Sequence, residues 1–525
     1  KILFISSLAV VLAVSSCKKS DFANSYTDPS KIAVSSVEKQ FAGFVNSNLG
    51  YVMPGYWNYF VVQRITNNRY TQSVGWSNAT GQYIPGGGAV SDHWNAYYTF
   101  LSQYKELVKI NKALSAADQA DRRIFMIAAT IYFYDYTQKM VDVHGDIPWS
   151  AAGMLSANGG DYLSSLPKYD KAQDIYTKML DDLKAFSTEL NTLTVPAAIQ
   201  TAFNTQDFVL KGSKAAWTRY CNSLRLRMLT RVSGSSELGA RATSEIGAMI
   251  AAPATFPLVS SNAENIQINV FSTSTPVAGS NFQGGLEDWN GNLASKAMID
   301  HMNTNGDPRL PALFEPGTAA GGVYKGIDQS ASSQVTDALI LTNTVAMYNR
   351  STTSRNLFFP GVLINAAEVS FHLAEAYLKA GDLANAKAAY NKGIDQSTEY
   401  YYNLRKLSTN TTSPALVPYT AAQVTAYQTA AGINWDNATT TAARQALISN
   451  QRWIHYNVIQ PFENWAEVRR TDLPALSFWT DAATHSAPNV PVRWMYPSSE
   501  NVYNKANYAA VSGKDNLTTK LFWDK

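Results

Sequence analysis

The chain of 525 residues is long enough for roughly two to four domains or one extended repeat architecture. Only 16% of its residues are charged, the net charge is +3 and the basic residues form no stripe, which excludes a nucleic-acid surface. With 12 Trp, 29 Tyr and 21 Phe, the composition suits contact with sugars or peptides better than with a polyanion.

The first twenty residues, KILFISSLAVVLAVSSCKKS, open on a positive charge and an apolar run, Ile2 to Val14. That run is too short to span ~30 Å of hydrocarbon, which takes roughly 20 residues, and it has the pattern of a secretory leader. Its end, Val14-Ser15-Ser16-Cys17, reads as a lipobox. The expectation is a signal peptide over 1–16, acylation of Cys17 and a lipidated tether over 17–34. With Cys17 carrying lipid, Cys221 has no disulfide partner, and its helical surroundings predict a buried thiol acting as a small hydrophobe.

From about Ser36 the periodicity is helical, with helices expected over 96–114, 121–140, 170–190 and 213–231. The second is apolar on two faces, Ile124, Ile127 and Ile131 on one and Phe125, Tyr132 and Tyr136 on the other, so it is predicted to lie between neighbours. The third carries Ile175, Met179, Leu183, Phe186 and Leu190 at helical spacing, and the fourth ends on Arg225, Arg227 and Arg231. In Phe371 to Ile394, Ala374, Tyr377, Gly381, Ala386 and Tyr390 occupy the positions of a tetratricopeptide helical hairpin. One such unit cannot bury its own faces, so the earlier helices are its expected partners.

Three irregular stretches separate the helices: 70–94, about 251–290 with a strand-like run at Ile266 to Phe271, and 404–441. Loops this long are functional or disordered. Aromatic residues around Gly86-Gly87-Gly88 favour function at 70–94, and low complexity around Thr409 to Ser413 favours disorder there.

Little in the chain points to catalysis. Glu463 and Glu467 share a helical face with Arg470 three residues beyond Glu467, the spacing of an intrahelical ion pair. Arg225, Arg227 and Arg231 are expected to pair with carboxylates of neighbouring repeats. The six His show no metal spacing, and Asn303, Asn305 and Asp307 lack the ligand pattern of a calcium loop. No nucleotide-binding or hydrolase motif is present, so the expectation is no enzyme, no cofactor and no metal site. A sugar site needs flat aromatic faces edged by amides and hydroxyls, and Trp57, Trp76, Tyr83 and Trp289 are the candidates.

Six strings in order complete the reading: His144-Gly145-Asp146-Ile147-Pro148-Trp149, Tyr169-Asp170-Lys171-Ala172, Asn222-Ser223-Leu224-Arg225-Leu226-Arg227, Asp307-Pro308-Arg309-Leu310, Trp465-Ala466-Glu467-Val468-Arg469-Arg470-Thr471 and Val492-Arg493-Trp494-Met495-Tyr496-Pro497. Together they resemble the SusD/RagB-like nutrient-binding outer-membrane lipoproteins of Bacteroidetes, the SusD-like subgroup in particular, from the lipid cysteine to Asp524. The resemblance implies a mostly α fold, a right-handed superhelix of about four tetratricopeptide-like hairpins with a loop-rich ligand-binding region and minor β. It further implies a lipid-anchored, surface-exposed lid that binds a nutrient oligosaccharide and delivers it to a SusC-like TonB-dependent transporter. A peptide-binding lid of the same architecture and a tetratricopeptide scaffold for envelope complexes are the alternatives.

Overall fold

The computed structural model describes residues 35–524 apart from Pro276 and Ser280. The expected signal peptide, Cys17 and the tether lie outside the described residues. Ten helices carry the scaffold: α1 (Val37–Ser47), α2 (Gly87–Lys112), α3 (Arg123–His144), α4 (Ala172–Thr192), α5 (Lys214–Val232), α6 (Gly239–Ala251), α7 (Ala366–Lys379), α8 (Leu383–Leu407), α9 (Thr441–Tyr456) and α10 (Pro461–Thr471). Eight of them pack in a continuous series, α1 on α2, α2 on α3, α3 on α5, α5 on α7, α7 on α8 and α9, and α9 on α10, while α4 and α6 both pack on α5. The fold class is mostly α, as the periodicity predicts. Strands are short antiparallel pairs: β1 (Ile147–Pro148) with β2 (Tyr169–Asp170), β3 (Ile266–Ile268) with β6 (Gly361–Ile364), and β4 (Phe314–Glu315) with β5 (Met347–Tyr348).

Local chemistry starts and stops these helices. Ser36 caps α1 by accepting from the Lys39 N–H at 3.3 Å, and Ser213 caps α5 by accepting from the Ala216 N–H at 3.2 Å. Helix α3 ends at Gly145, whose φ of +81° suits glycine and few other residues. The two apolar faces of α3 are both covered, Ile124, Ile127 and Ile131 being fully buried together with Phe125. Phe44 of α1 stacks on Phe100 of α2 at 4.6 Å and meets Tyr132 of α3 edge-on at 5.9 Å, which ties the first three helices together.

The α7–α8 hairpin has the predicted tetratricopeptide form. Gly381 turns the chain at φ +79°, Asp382 caps α8 through the Asn385 N–H at 3.1 Å, and Ala374, Ala386 and Tyr390 are buried. The closest approach is made by Gly393, where a Cβ would stand 2.4 Å from the Phe371 ring.

A buried ionic network, outlined by the α5 arginines, joins the helices. Arg227 reaches Glu368 of α7 at 2.5 Å and Asp135 of α3 at 3.0 Å. Arg231 reaches Asp142 of α3 and Glu463 of α10, both at 2.6 Å, and Glu467 of α10 at 3.1 Å. Arg470 pairs with Glu467 at 2.6 Å and with Glu375 at 2.7 Å, and Arg452 of α9 with Glu375 at 2.9 Å. Burial alone would raise the Glu368 and Glu467 carboxyls. Arg227 holds the first, and Arg470, Arg452 and Arg231 the second, well below the usual carboxylate range. The expected intrahelical Glu467–Arg470 pair is therefore one link in a cross-helix network. The network bridges α3, α5, α7, α9 and α10, and losing a single partner strands buried charge.

Two loop expectations are corrected. Helix α2 begins at Gly87, inside the stretch 70–94, so Trp94 lies within a helix and is buried against His144 at 5.1 Å. The stretch 404–441 holds a helix, Ala421–Gln428, started by a Thr420–Gln423 capping box that the Ser- and Thr-rich composition conceals. Its low-complexity part is pinned too, since Ser413 and Ser351 exchange hydrogen bonds at 2.9 and 3.0 Å. Around 251–290, the expected strand forms as β3, and a short helix covers Phe282–Glu287. The run Asn303, Asn305 and Asp307 closes a helix end at Gly306, and Asp307 is paired with Arg309 at 2.6 Å. Cys221 is buried and donates to the Leu183 carbonyl at 3.4 Å.

Candidate functional site

The site is built where two distant segments, 72–78 and 289–295, are locked side by side. The Gly75 N–H donates to the Leu293 carbonyl at 2.7 Å, Ser295 Oγ donates to the Gln72 carbonyl at 2.6 Å, and Tyr348 Oη donates to the Ser73 carbonyl at 2.7 Å. A Cβ on Gly75 would stand 2.5 Å from the Ala294 carbonyl oxygen, so the approach requires glycine there. This contact brings Trp76 and Trp289 to the same cavity of about 280 Å³, lined also by Arg64, Arg69, Asn290 and Asp337.

Trp289 sits at the tip of a tight turn and is 83% exposed. It and Asn290 both adopt left-handed backbone, φ +57° and +58°, a conformation that large residues avoid unless the surroundings impose it. Gly291 makes the turn possible, since a Cβ there would meet the Leu286 carbonyl oxygen at 2.7 Å and Arg64 Cδ at 3.0 Å. An indole held out into solvent on a strained turn beside a cavity has the geometry a stacking surface needs, because its apolar area is recovered only when something covers it. Trp76 forms the inner wall. It is 6% exposed, its Nε1 donates to Gln82 Oε1 at 2.9 Å, and the Arg69 guanidinium lies 5.7 Å from its ring centre.

The candidate aromatics thus separate. Trp76 and Trp289 share the cavity. Trp57 is 55% exposed on a helical turn, Trp57–Gln63, but does not line it. Tyr83 is fully buried, its hydroxyl donating to the Trp479 carbonyl at 2.6 Å, so it offers no face to a ligand. Its Gly-bearing stretch is a turn, as expected, but the side chain packs into the core beside Trp76 and Phe478. The sequence reading passes over Arg64, Arg69 and Asp337. The two arginines lie five apart in an aromatic stretch, a weak signal, and Asp337 carries none.

Arg64 rests on the Phe60 ring at 4.0 Å and donates through Nε to the Phe60 carbonyl at 3.4 Å. Burial, with Arg64 adding to it, pushes the Arg69 guanidinium down to about 10. Asp337 accepts from the Ser77 hydroxyl. A wider groove of about 690 Å³ lies around Pro308, Tyr324 and Tyr402, but it holds no tryptophan and its Asp307 and Glu315 are both ion-paired to arginine. Among the described residues no group of three or more His, Cys, Asp or Glu could hold a metal ion, and no helix is long and apolar enough to cross a membrane.

The fold has close counterparts among solved structures. A chitin-binding protein superposes with a TM-score of 0.73 at 23% identity, over 92% of this chain and 99% of its own. A SusD homologue from Parabacteroides distasonis gives 0.73 at 20% identity, over 94% and 98%, and one from Bacteroides fragilis 0.70 at 20%, over 93% and 99%. At these identities the likeness establishes the fold alone. No curated protein matches the sequence. The SusD-like family, described as starch-binding and associating with the outer membrane, matches residues 45–497, and the chain belongs to that family.

Proposed function

We propose that this protein captures a nutrient oligosaccharide between Trp289 and the wall formed by Trp76, and passes it to a SusC-like TonB-dependent transporter of the outer membrane. The observation that carries the reading is the exposed Trp289 indole, imposed by a left-handed turn and facing a cavity of about 280 Å³. Asn290 beside it supplies amide edges for sugar hydroxyls. The starch-binding description of the family supports a glycan as the ligand class. Acylation at Cys17 would hold the protein at the membrane by a tether over 17–34, keeping the lid at high effective concentration over its barrel.

Binding without chemistry fits the site. SusD-like proteins are binding proteins rather than enzymes. Hydrolysis of a glycosidic bond commonly uses two carboxyl groups across the sugar, and the cavity wall contributes Asp337, held by Ser77. Isothermal titration of the purified protein against starch-, chitin- and pectin-derived oligosaccharides and against mixed oligopeptides tests the reading. Binding of one glycan class, with its heat removed by Trp76→Ala or Trp289→Ala, is expected. Binding of oligopeptides alone would replace it with the peptide reading.

A further inference from the structure

Arginines in the interior of this protein are anchored by short bonds: Arg469 donates to the Val492 and Asp142 carbonyls, both at 2.7 Å, Arg493 donates to the His144 carbonyl, and the rest donate to carboxylates. Arg227, Arg231, Arg309, Arg452 and Arg470 each meet a carboxylate, at 2.5, 2.6, 2.6, 2.9 and 2.6 Å respectively. That is what burial demands of a guanidinium, which cannot shed its proton. The half-buried Arg64 and Arg69 are not anchored in this way. Both line the tryptophan cavity, and among the described residues neither forms an ion pair. The Arg69 Nε is buried with no hydrogen-bond partner, and Arg64 commits Nε to one long bond with the Phe60 carbonyl, 3.4 Å. A guanidinium carries five N–H donors, so most of the donors on this pair are uncommitted. Arg64 also disfavours the charged form of Arg69, after burial itself.

Nearby carboxylates do not neutralise the pair. Asp337 lines the cavity but is engaged by Ser77. Asp288, next to Trp289, favours the charge on Arg64 without pairing with it. The cavity wall therefore holds two guanidiniums and one carboxylate, a positive balance at the foot of a stacking platform.

We propose that the cavity selects an acidic oligosaccharide, whose carboxylate or sulfate group is received by Arg64 and Arg69 while Trp289 stacks on an adjoining ring. The inference rests on the glycan-binding reading and adds the charge of the sugar to it. A planar guanidinium fork matches the paired oxygens of either anion. Only the charged group that enters the cavity would be read, since Arg64 and Arg69 are the guanidiniums that line it. The anion would supply the kind of partner that Arg227, Arg231, Arg309, Arg452 and Arg470 already have.

Titration calorimetry on the purified protein with three matched pairs decides the matter: oligogalacturonate and its methyl ester, a hyaluronan tetrasaccharide and its carboxyl-reduced form, and a keratan sulfate tetrasaccharide, whose only anions are sulfates, and its desulfated form. At least one acidic member is expected to bind about tenfold tighter than its neutral partner, as a charge-assisted hydrogen bond allows, and the difference shrinks as salt rises. Which pair responds assigns carboxylate or sulfate. Arg69→Gln, which removes no hydrogen bond or ion pair, should erase the difference and leave the denaturation midpoint unchanged; Arg64→Gln should reduce it. Equal binding within every pair, no binding by any acidic member, or a preference that survives Arg69→Gln would overturn the inference. If neutral members bind and Trp289→Ala removes that binding, the glycan reading stands without the charge selection. If an acidic member binds through Arg69 while Trp289→Ala changes nothing, the stacking reading falls instead.

Discussion

Replacing Arg231 with methionine tests the ionic network that joins the helices. Arg231 is fully buried and donates to Asp142, Glu463 and Glu467 at 2.6, 2.6 and 3.1 Å. Removing it leaves three buried carboxylates facing one another without that cation. Asp142 shows the consequence in advance: burial already raises its carboxyl, and Arg231 is the strongest influence pulling it back. Breaking a buried pair by deleting one partner costs about 3–5 kcal/mol, a large share of the roughly 5–15 kcal/mol that holds a typical domain. Arg231→Met should therefore lower the urea midpoint sharply at pH 7. The loss should also depend on pH in a definite direction. Without Arg231 the Asp142 carboxyl, already raised by burial, loses the strongest charge opposing that rise, so the native variant binds more protons than the unfolded chain and its stability falls as pH rises. The gap to the parent protein is then smaller at pH 5 than at pH 7, and adding Asp142→Asn to Arg231→Met recovers part of it. A loss below about 1 kcal/mol, or an equal loss at both pH values, would refute the reasoning.

Three further outcomes follow from packing and burial. Gly393→Ala places a Cβ 2.4 Å from the Phe371 ring and should cost about 1–3 kcal/mol, whereas Gly247→Ala on exposed α6, with nothing within 4 Å, should be neutral or mildly stabilising. Equal effects on the urea midpoint would show that the α7–α8 contact is looser than described. Burial pushes the Cys221 thiol up to about 12, so a thiol reagent at pH 8 should label it only after unfolding; fast labelling of the native protein would contradict that placement. Burial pushes His93 down to about 3, and neither of its ring nitrogens has a partner. The unfolded histidine takes up a proton that the native one refuses, so stability is lost as pH falls from about 6.5 towards 3. His93→Phe, keeping the stack on Phe462, should flatten that loss in urea titrations between pH 7 and 5; an unchanged slope would be evidence against it.

The helices were legible because their signals are local and repeated. Ile175, Met179, Leu183, Phe186 and Leu190 fall on one buried face of α4, and Gly381-Asp382 turns α7 into α8 where the hairpin pattern places it. The roles of Arg225, Arg227 and Arg231 could be anticipated from the guanidinium's need for carboxylates, but not their partners, which come from helices far along the chain. Gly393 went unnoticed because closeness to Phe371 is a property of the pair and leaves no local mark. The site was half legible for the same reason. Trp76 and Trp289 stand out as aromatics, but what unites them is the Gly75–Leu293 hydrogen bond between distant segments. Tyr83 looked equivalent to Trp76 in the sequence, and only its packing beside Trp76 and Phe478 puts it in the core.

The central claim, that Trp289 is the platform on which a sugar is captured, is tested most directly by Trp289→Ala in titration calorimetry with the oligosaccharide that the parent protein binds. The indole is 83% exposed, so its loss should leave the urea midpoint unchanged. Covering that surface with a ligand is worth roughly 1.5–3 kcal/mol, and the account predicts affinity weakened about tenfold or more. Undiminished affinity in a stably folded Trp289→Ala protein would contradict it.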